Sequence, residues 1–153
     1  MILNPTADRT HYHLIYGTRS DEGLVAFREV ERRGIEFQRA KRADAQQRGR
    51  VQRSKQGELF GGREMFTRAY EDELRARYLL RAEQRLDAML KKRGNVVWDE
   101  LVVDALQVPM IAESDVKAWL KDRQASGAVT ITGLAPRARV PQGGSGHRVW
   151  SVM

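Results

Sequence analysis

The sequence predicts a mainly α-helical protein with a small β-hairpin near its C-terminal end. Several segments repeat apolar residues at intervals of three and four positions, the spacing that forms one face of a helix. Two short apolar runs near the end, "AVTITGL" and "HRVWSV", flank a loop of Pro, Gly and Arg, as the strands of a hairpin do. Residues 131–152 contain no acidic side chain, so this hairpin is positively charged.

Composition limits the class of protein. The chain has 153 residues, 41% of them hydrophobic, which suffices for one ordinary domain or a small domain with an appendage. It has no cysteine, which excludes disulfides, cysteine-ligated zinc and thiol catalysis and fits a reducing cytoplasm. The start "MILNPTADRT" lacks the features of a signal peptide, and no apolar run reaches the length of a membrane span. We expect a soluble, cytoplasmic protein with no membrane partner.

The net charge of +7 is concentrated in two segments. Residues 39–58 have seven basic and two acidic side chains, and residues 123–153 have four basic and none acidic. Residues 1–38 and 63–122 each sum to −1. Clustered positive charge favours a polyanionic partner, because each phosphate that is neutralised releases counterions. The alternative is that these segments only keep the chain soluble.

Residues 1–37 are predicted to form a strand followed by a helix. "HYHLIYGTR" at residues 11–19 has the aromatic and aliphatic density of a buried strand, and "DEGLVAFREVERRG" has near-helical spacing and ends on Gly34. This order is typical of the closing unit of an α/β domain. A single apolar strand cannot form a sheet, so we expect residues 11–33 to pair with a second copy or with a partner chain.

Residues 38–62 are predicted to be a basic linker. They are rich in Arg, Gln and Gly, although their Ala, Gln and Arg would also permit a solvated extension of the preceding helix. The basic side chains that would add nonspecific affinity for a polyanion are Arg39, Lys41, Arg42, Arg48, Arg50, Arg53 and Lys55.

Residues 63–153 are predicted to form a winged helix-turn-helix. A long amphipathic helix ends at Gly94, the short run "VVW" follows, and "DELVVDALQ" begins a second helix that ends before Pro109. "ESDVKAWLKDRQASG" is a third helix, with Ser114 as its N-cap and Gly127 as its C-cap. The two strands of the hairpin complete the order that defines a winged helix.

The third helix is a candidate recognition helix. Its period places Val116, Trp119, Leu120 and the stem of Arg123 toward the core. The opposite arc combines two positive charges with hydrogen-bonding groups, which suits a helix in the major groove of DNA. An ordinary solvated face is the alternative, and for Ser114 a capping role is favoured over a contact. The candidate contacts are Ser114, Lys117, Lys121 and Gln124.

The hairpin loop supplies further candidate contacts. Arg137, Arg139 and Arg148 are expected to reach the phosphate backbone or the minor groove, as residues of a wing do. The alternative is that these arginines only solubilise an exposed hairpin. His147 is a candidate contact, although a lone His near the start of a strand is more often structural. Trp150 is predicted to pack in the core.

No catalytic or cofactor site is predicted. "YGTRSDEG" lacks the G-x-G spacing of a dinucleotide or S-adenosylmethionine fold, and neither a Walker motif nor an H-E-x-x-H motif is present. His11 and His13 alternate on the predicted strand, but two ligands without a third are weak evidence for a metal. We therefore expect no enzyme activity, no cofactor and no metal.

Three stretches carry a family resemblance: "HYHLIYGTRSDEGLVAFREVERR", the basic stretch ending "GELFGG", and "VVWDELVVDALQVPMIAESDVKAWLKDRQASGAVTITGLAPRARVPQGGSGHRV". Together they resemble the C-terminal portion of the bacterial three-Cys-motif partner protein family. The resemblance implies the end of a methyltransferase-like α/β domain, a basic linker and a GMT-like winged helix. It also implies a place beside a three-cysteine protein similar to radical S-adenosylmethionine enzymes. The glycine-rich cofactor-binding portion of a methyltransferase-like domain is absent from this sequence.

Three hypotheses for function follow from the sequence. The first is a DNA-binding or other nucleic-acid-binding winged helix that acts as an accessory or targeting part of such a methyltransferase-like system. The second is a protein-interaction module that makes no contact with nucleic acid, in which the winged helix packs on a protein partner and the basic segments only solvate the chain. The third is a non-catalytic remnant of an enzyme.

Overall fold

A computed structural model describes residues 2–54, 69–134, 138 and 140–152. This part of the chain is mainly helical and contains two small antiparallel sheets, which confirms the predicted class of a mainly α protein with a β-hairpin. The helices are α1 (Asp21–Ser54), α2 (Ala69–Arg93), α3 (Trp98–Leu106) and α4 (Glu113–Ala125). The strands are β1 (Ile2–Leu3), β2 (Thr10–Tyr12), β3 (Asn95–Val97), β4 (Val129–Thr132) and β5 (Arg148–Ser151).

The larger sheet has the strand order β3–β5–β4, with all neighbours antiparallel. Val149 of β5 pairs with Val96 of β3 on one side and with Ile131 of β4 on the other. Because directly opposed residues lie on the same face of a sheet, these three side chains face the helices together. The residues of the alternate positions face away from them.

The main core lies between this sheet and helices α2, α3 and α4. Trp98, at the start of α3, is 0% exposed and is the largest fully buried side chain. Burial of its large apolar ring removes more surface from water than burial of any aliphatic side chain in this core. Other core residues come from all three helices and the inner sheet face, among them Leu86, Leu90, Leu101, Leu106, Val116, Trp119, Leu120 and Val149.

Helix α1 is longer than the sequence predicted. It continues through Gly34, which was expected to end it, and through residues 38–54 of the expected linker. Ala, Gln and Arg favour helix, and their propensity outweighs the cost of Gly34 and Gly49, about 1 kcal/mol each. Arg32 and Arg33 also pair with glutamates one turn away on the same helix. The helical extension is thus what the structure adopts up to Ser54, and residues 55–62 lie outside the described residues.

Helix α1 is fastened to the turn between α3 and α4. Arg28 Nε donates to the carbonyl oxygen of Leu106 at 2.6 Å, and its guanidinium pairs with Glu31. The Glu31 carboxylate accepts a hydrogen bond from the backbone N–H of Met110 at 3.3 Å. Met110 has φ of 63°, in the left-handed region where a non-glycine residue is strained. These bonds and the burial of Met110 stabilise that conformation.

The predicted strand at residues 11–19 is wrong in length and in burial. Strand β2 ends at Tyr12, because its pairing partner β1 has only two residues. Leu14, Ile15 and Tyr16 follow in an irregular segment and are 62%, 92% and 47% exposed. Tyr16 stacks on Phe27 of α1 with 4.2 Å between ring centroids, which orients the segment beside that helix.

Truncation of Leu120 tests the core. Leu120 is 0% exposed, so Leu120→Ala should lower the free energy of unfolding by about 2–5 kcal/mol, since it leaves a cavity under the sheet. The neighbouring Lys121 is exposed, and Lys121→Ala should change that free energy by less than about 0.5 kcal/mol. Urea denaturation followed by far-ultraviolet circular dichroism measures both. Equal losses in the two variants would contradict this assignment of the core.

Candidate nucleic-acid interface

Helix α4 begins at Glu113, so its N-cap lies two residues before Ser114, the N-cap that the sequence predicted. Its N-cap is Ala112, and Asp115 Oδ2 accepts a hydrogen bond from the Ala112 N–H at 2.9 Å. The prediction of Ser114 as the N-cap is therefore wrong, because the Asp115 carboxylate, placed three residues after Ala112, supplies the side-chain bond at this terminus. Ser114 lies in the first turn of α4 with its side chain exposed, which leaves its hydroxyl available for contact.

The inner face of α4 is as predicted. Val116, Trp119 and Leu120 are buried. Arg123 extends along α2 to Asp87, with Nε donating to Oδ1 at 3.0 Å, and the indole N–H of Trp119 donates to the same oxygen at 3.3 Å. The hydrogen bond that Arg123 donates to Asp87 raises the pKa of Arg123. The charge of Arg123 is thus engaged between α4 and α2.

The outer arc of α4 is built from small and polar residues. Ser114, Ala118, Lys121 and Ala125 recur at i, i+4, i+7 and i+11, and all four are exposed. Ala118 and Ala125 were not singled out from the sequence, although the same helical period predicts their position. Small side chains on an exposed arc allow the helix backbone to approach a surface closely.

Lys117 and Gln124 lie at the border of this arc and are only partly exposed. Lys117 Nζ is 2.7 Å from Glu113 Oε1, one turn earlier on the helix. This ion pair is exposed and therefore weak, but it reduces the positive charge that α4 presents. Of the four predicted contacts, Ser114 and Lys121 belong to the exposed outer arc, whereas Lys117 and Gln124 lie beside it.

The loop between β4 and β5 folds back onto the start of α3. The N–H of Gly144 donates to the Asp99 carboxylate, at 3.1 Å from Oδ1 and 3.2 Å from Oδ2. His147 bonds across the loop, with Nε2 3.0 Å from the Gly133 carbonyl oxygen and Nδ1 in contact with the Ser145 hydroxyl. The sequence left two roles open for His147, a contact with a ligand and a structural role. These bonds support the structural role. Arg137 and Arg139 lie outside the described residues.

Strand β5 carries an exposed aromatic and an exposed cation. Trp150 is 40% exposed, so the prediction that it packs in the core is wrong. Strand alternation is the reason: Val149 occupies the inward position, and Trp150 must point to the outer face of the sheet. Arg148 lies on the same outer face, and its Nη1 donates to Asn95 Oδ1 at 2.6 Å.

Two basic residues of the predicted linker serve the fold. Arg42 is 3% exposed and donates to the carbonyl oxygens of Asn4 and Ala7 and to the Asp8 carboxylate. Arg39 forms an ion pair at 2.5 Å with Glu71 of α2, whose side chain is 2% exposed. These two side chains are committed to the N-terminal segment and to α2, and they do not present free charge to a polyanion.

The other linker cations differ in exposure. Lys41 is exposed, with its Nζ 5.4 Å from the centre of the Phe37 ring, and Arg48 is also exposed. Arg50 is half-buried. The side chain of Arg53 and the whole of Lys55 lie outside the described residues. Lys41 and Arg48 therefore remain candidates for electrostatic contact from α1.

The described residues contain no group of three or more side chains able to hold a metal ion, and His11 lies against the ring of Tyr12. A cleft between α1 and the start of α4 is lined by arginines that pair with carboxylates. Arg28 pairs with Glu31, and Arg75 with Asp115. Among the described segments, no helix has the length and hydropathy needed to cross a membrane.

Loss of the Asp99 carboxylate should release the loop. Asp99→Ala removes the acceptor for the Gly144 N–H, so amide hydrogen exchange at Gly144 and Ser145 should become faster while exchange in β5 stays slow. Glu100→Ala, a neighbouring substitution on the same helix turn, is the matched control because Glu100 contacts Arg93 instead of the loop. Unchanged exchange in Asp99→Ala would show that the loop is held by other contacts.

Searches of protein-family models, curated proteins and solved structures return no match to this chain. The resemblance to the three-Cys-motif partner family therefore stays a prediction that depends on the motifs quoted above. The structural features that bear on function are therefore the exposed arc of α4 and the larger sheet.

Proposed function

We propose that the C-terminal part of the chain, predicted as residues 63–153, is a winged helix-turn-helix that binds nucleic acid, with duplex DNA as the favoured partner. The order α2, β3, α3, α4, β4, β5 supports this proposal, as does the packing of three helices under one face of a three-stranded sheet. In this interpretation α4 is the recognition helix and the β4–β5 loop is the wing.

The observation that carries the proposal is the outer arc of α4. Its four exposed residues combine a cation, a hydroxyl and two methyl groups, and all but Lys121 have small side chains. A helix of this kind fits the major groove closely, where Lys121 reaches phosphate or a guanine edge and an alanine methyl contacts the methyl group of thymine. Ser114 adds a hydrogen-bonding group at the N-terminal end of the arc.

The balance of charge on α4 sets the expected strength of binding. Glu113 pairs with Lys117, and Asp122 adjoins Lys121, so the helix itself is not strongly basic. Residues 123–153 supply positive charge with no carboxylate. Few phosphate contacts release few counterions, so we expect affinity to fall with salt at a modest slope.

The sequence resemblance supports a wider proposal about the role of the chain. It would act as an accessory or targeting part of a methyltransferase-like, three-Cys-motif protein system in bacteria, and it would carry no catalytic step of its own. Binding of S-adenosylmethionine to the isolated chain, detected by calorimetry, would instead favour an enzyme remnant.

Neutralisation of Lys121 tests the recognition helix. Lys121→Gln should weaken binding to mixed-sequence duplex DNA several-fold, because it removes one phosphate contact, and the slope of log K against log salt should fall by about 1. Fluorescence anisotropy of a labelled duplex across a salt series measures both quantities.

Arg77→Gln is the matched control for this experiment. Arg77 lies exposed on α2 and its loss changes the net charge equally, so it should leave the slope unchanged. Equal effects of the two substitutions would mean that net charge alone drives binding, and α4 would lose its proposed role. Charge reversal at Arg137 and Arg139 applies the same measurement to the proposed wing.

A second candidate function is protein association through the N-terminal segment. Leu14 and Ile15 are among the exposed large hydrophobic residues, and no backbone hydrogen bond involves residues 13–17 of this fully described segment. An extended apolar segment with free backbone groups can add a strand to another sheet. The occupant is either a second copy of this chain or a methyltransferase-like partner chain, through residues 11–33.

Sedimentation tests this second candidate. A self-associating wild-type protein should show a sedimentation coefficient that rises with concentration in the micromolar range. Ile15→Lys should restore the monomer without loss of stability, because Ile15 is 92% exposed and packs against little. Gln84→Lys adds the same charge to the exposed face of α2 and should not alter association. A wild-type protein that is strictly monomeric at these concentrations would exclude self-association through this segment.

A further inference from the structure

The outer face of the larger sheet has an unusual composition for a solvent-facing surface. Trp150 and Arg148 occupy alternate positions of the central strand β5, so both side chains lie in the middle of the sheet. The residues opposite them on this face are Asn95, Val97, Thr130 and Thr132. The six outer-face residues include no carboxylate.

Both central side chains are held in place by diagonal hydrogen bonds. The indole N–H of Trp150 donates to Thr132 Oγ1 at 3.1 Å, which draws the ring toward β4. The guanidinium of Arg148 donates to Asn95 Oδ1 at 2.6 Å, which draws it toward β3. Each hydrogen bond favours one orientation of its planar group across the sheet before any ligand arrives, which reduces the side-chain entropy lost on binding.

The two groups leave binding capacity unused. Trp150 is 40% exposed although it is already hydrogen-bonded, so an apolar ring surface faces solvent. A guanidinium has five N–H donors, and within the described part of the chain Arg148 uses Nη1 alone in a hydrogen bond. A ligand that suits this surface needs a flat face for the ring and an anionic group for the arginine.

We propose that the outer sheet face is a binding site for single-stranded nucleic acid, in which an unpaired base stacks on Trp150 and its phosphate contacts Arg148. Charge complementarity favours an anionic ligand, since neither the outer face nor residues 123–153 contain an acidic side chain, and the exposed ring of Trp150 favours a base over an acidic peptide. Base stacking on an aromatic platform beside a cation is the general mode of binding to single strands. The residues that form this sheet-face site are Asn95, Val97, Thr130, Thr132, Arg148 and Trp150.

The sheet-face site deepens the nucleic-acid binding proposed above but uses a different surface. The major groove of a duplex, about 12 Å wide, admits a helix or a two-stranded ribbon, and the broad face of a three-stranded sheet suits an unpaired strand better. One protein could therefore hold a duplex with α4 and an adjacent unpaired strand with the sheet. This inference rests on the proposed function only in that both ligands are nucleic acids.

Tryptophan fluorescence offers a direct readout, because Trp98 is 0% and Trp119 is 4% exposed. Acrylamide should quench mainly Trp150. Addition of a short oligodeoxythymidine should then quench the emission of the wild-type protein as a base stacks on the indole. A strand of equal length with abasic residues keeps the phosphates but should leave the emission unchanged. Quenching by the abasic strand, or an absence of quenching by oligodeoxythymidine, would overturn the proposal.

Substitutions separate stacking from charge, with anisotropy of a labelled oligodeoxythymidine as the binding measurement. Trp150→Leu should weaken binding roughly tenfold. Trp150→Phe keeps a ring, so it should retain most of the affinity while the change in tryptophan emission is lost. Arg148→Gln should lower the slope of log K against log salt by about 0.7. If Trp150→Leu fails to fold, Trp150→Phe still decides, because a persisting emission change would place the ligand elsewhere.

Parallel titrations with duplex DNA keep this inference distinct from the proposed function. Lys121→Gln should weaken duplex binding and leave the quenching by oligodeoxythymidine intact. If the protein binds duplex DNA but oligodeoxythymidine does not change its tryptophan emission, the sheet-face site alone is refuted. Quenching without duplex binding would refute the role of α4 and support the site on the sheet.

Discussion

The insertion of β5 between β3 and β4 is the contact on which the C-terminal half of the molecule depends. Residues 95–97 pair with residues 148–150, so the end of the chain closes a sheet that begins directly after α2. Val149 of β5 is fully buried against the helices. The N–H of Trp98 donates to the His147 carbonyl oxygen at 2.8 Å. Without this pairing the helices would lack a cover, α3 would lose its connection to the loop, and Arg148 and Trp150 would have no common surface. Core, loop and outer face are consequences of one long-range strand pairing.

Not every basic side chain that the sequence counts is available to a partner. Several arginines bind to other parts of the fold. Arg28 binds to the α3–α4 turn, Arg39 to α2, Arg42 to the N-terminal segment and Arg123 to Asp87. Each of them makes a short bond to a carboxylate or a carbonyl oxygen, and a planar guanidinium suits such multiple contacts better than an ammonium does. Exposed cations remain on α1, α2, α4 and β5, and three of them, Lys91, Lys92 and Arg93, are adjacent at the end of α2. The number of basic side chains is therefore a poor guide to the charge that the surface presents.

The sequence correctly predicted the elements that depend on local periodicity. It did not predict strand length, the exposure of Trp150 or the role of Arg42, because each of these depends on residues far away in the chain. The helix that buries Val116, Trp119 and Leu120 follows from spacing alone, as does the hairpin around the Gly-rich loop. The strand at residues 11–19 was predicted too long because strand length is set by the partner, which here has two residues. Trp150 was assigned to the core by its size, whereas the register of β5 between its neighbours turns it outward. The role of Arg42 was equally hidden, since its acceptors lie more than thirty positions away in the chain.

The attachment of α1 at separate points gives this helix a mechanical property. Arg28 and Glu31 fasten it to the α3–α4 turn, and Arg39, eight residues later, fastens it to α2. At 1.5 Å per residue these anchors are about 12 Å apart along one rigid rod. A rod held at two points cannot pivot about either without breaking the other, so α1 braces the turn that precedes α4. Because Arg42 ties the N-terminal segment to the same helix, α1 connects that segment with the turn that precedes α4.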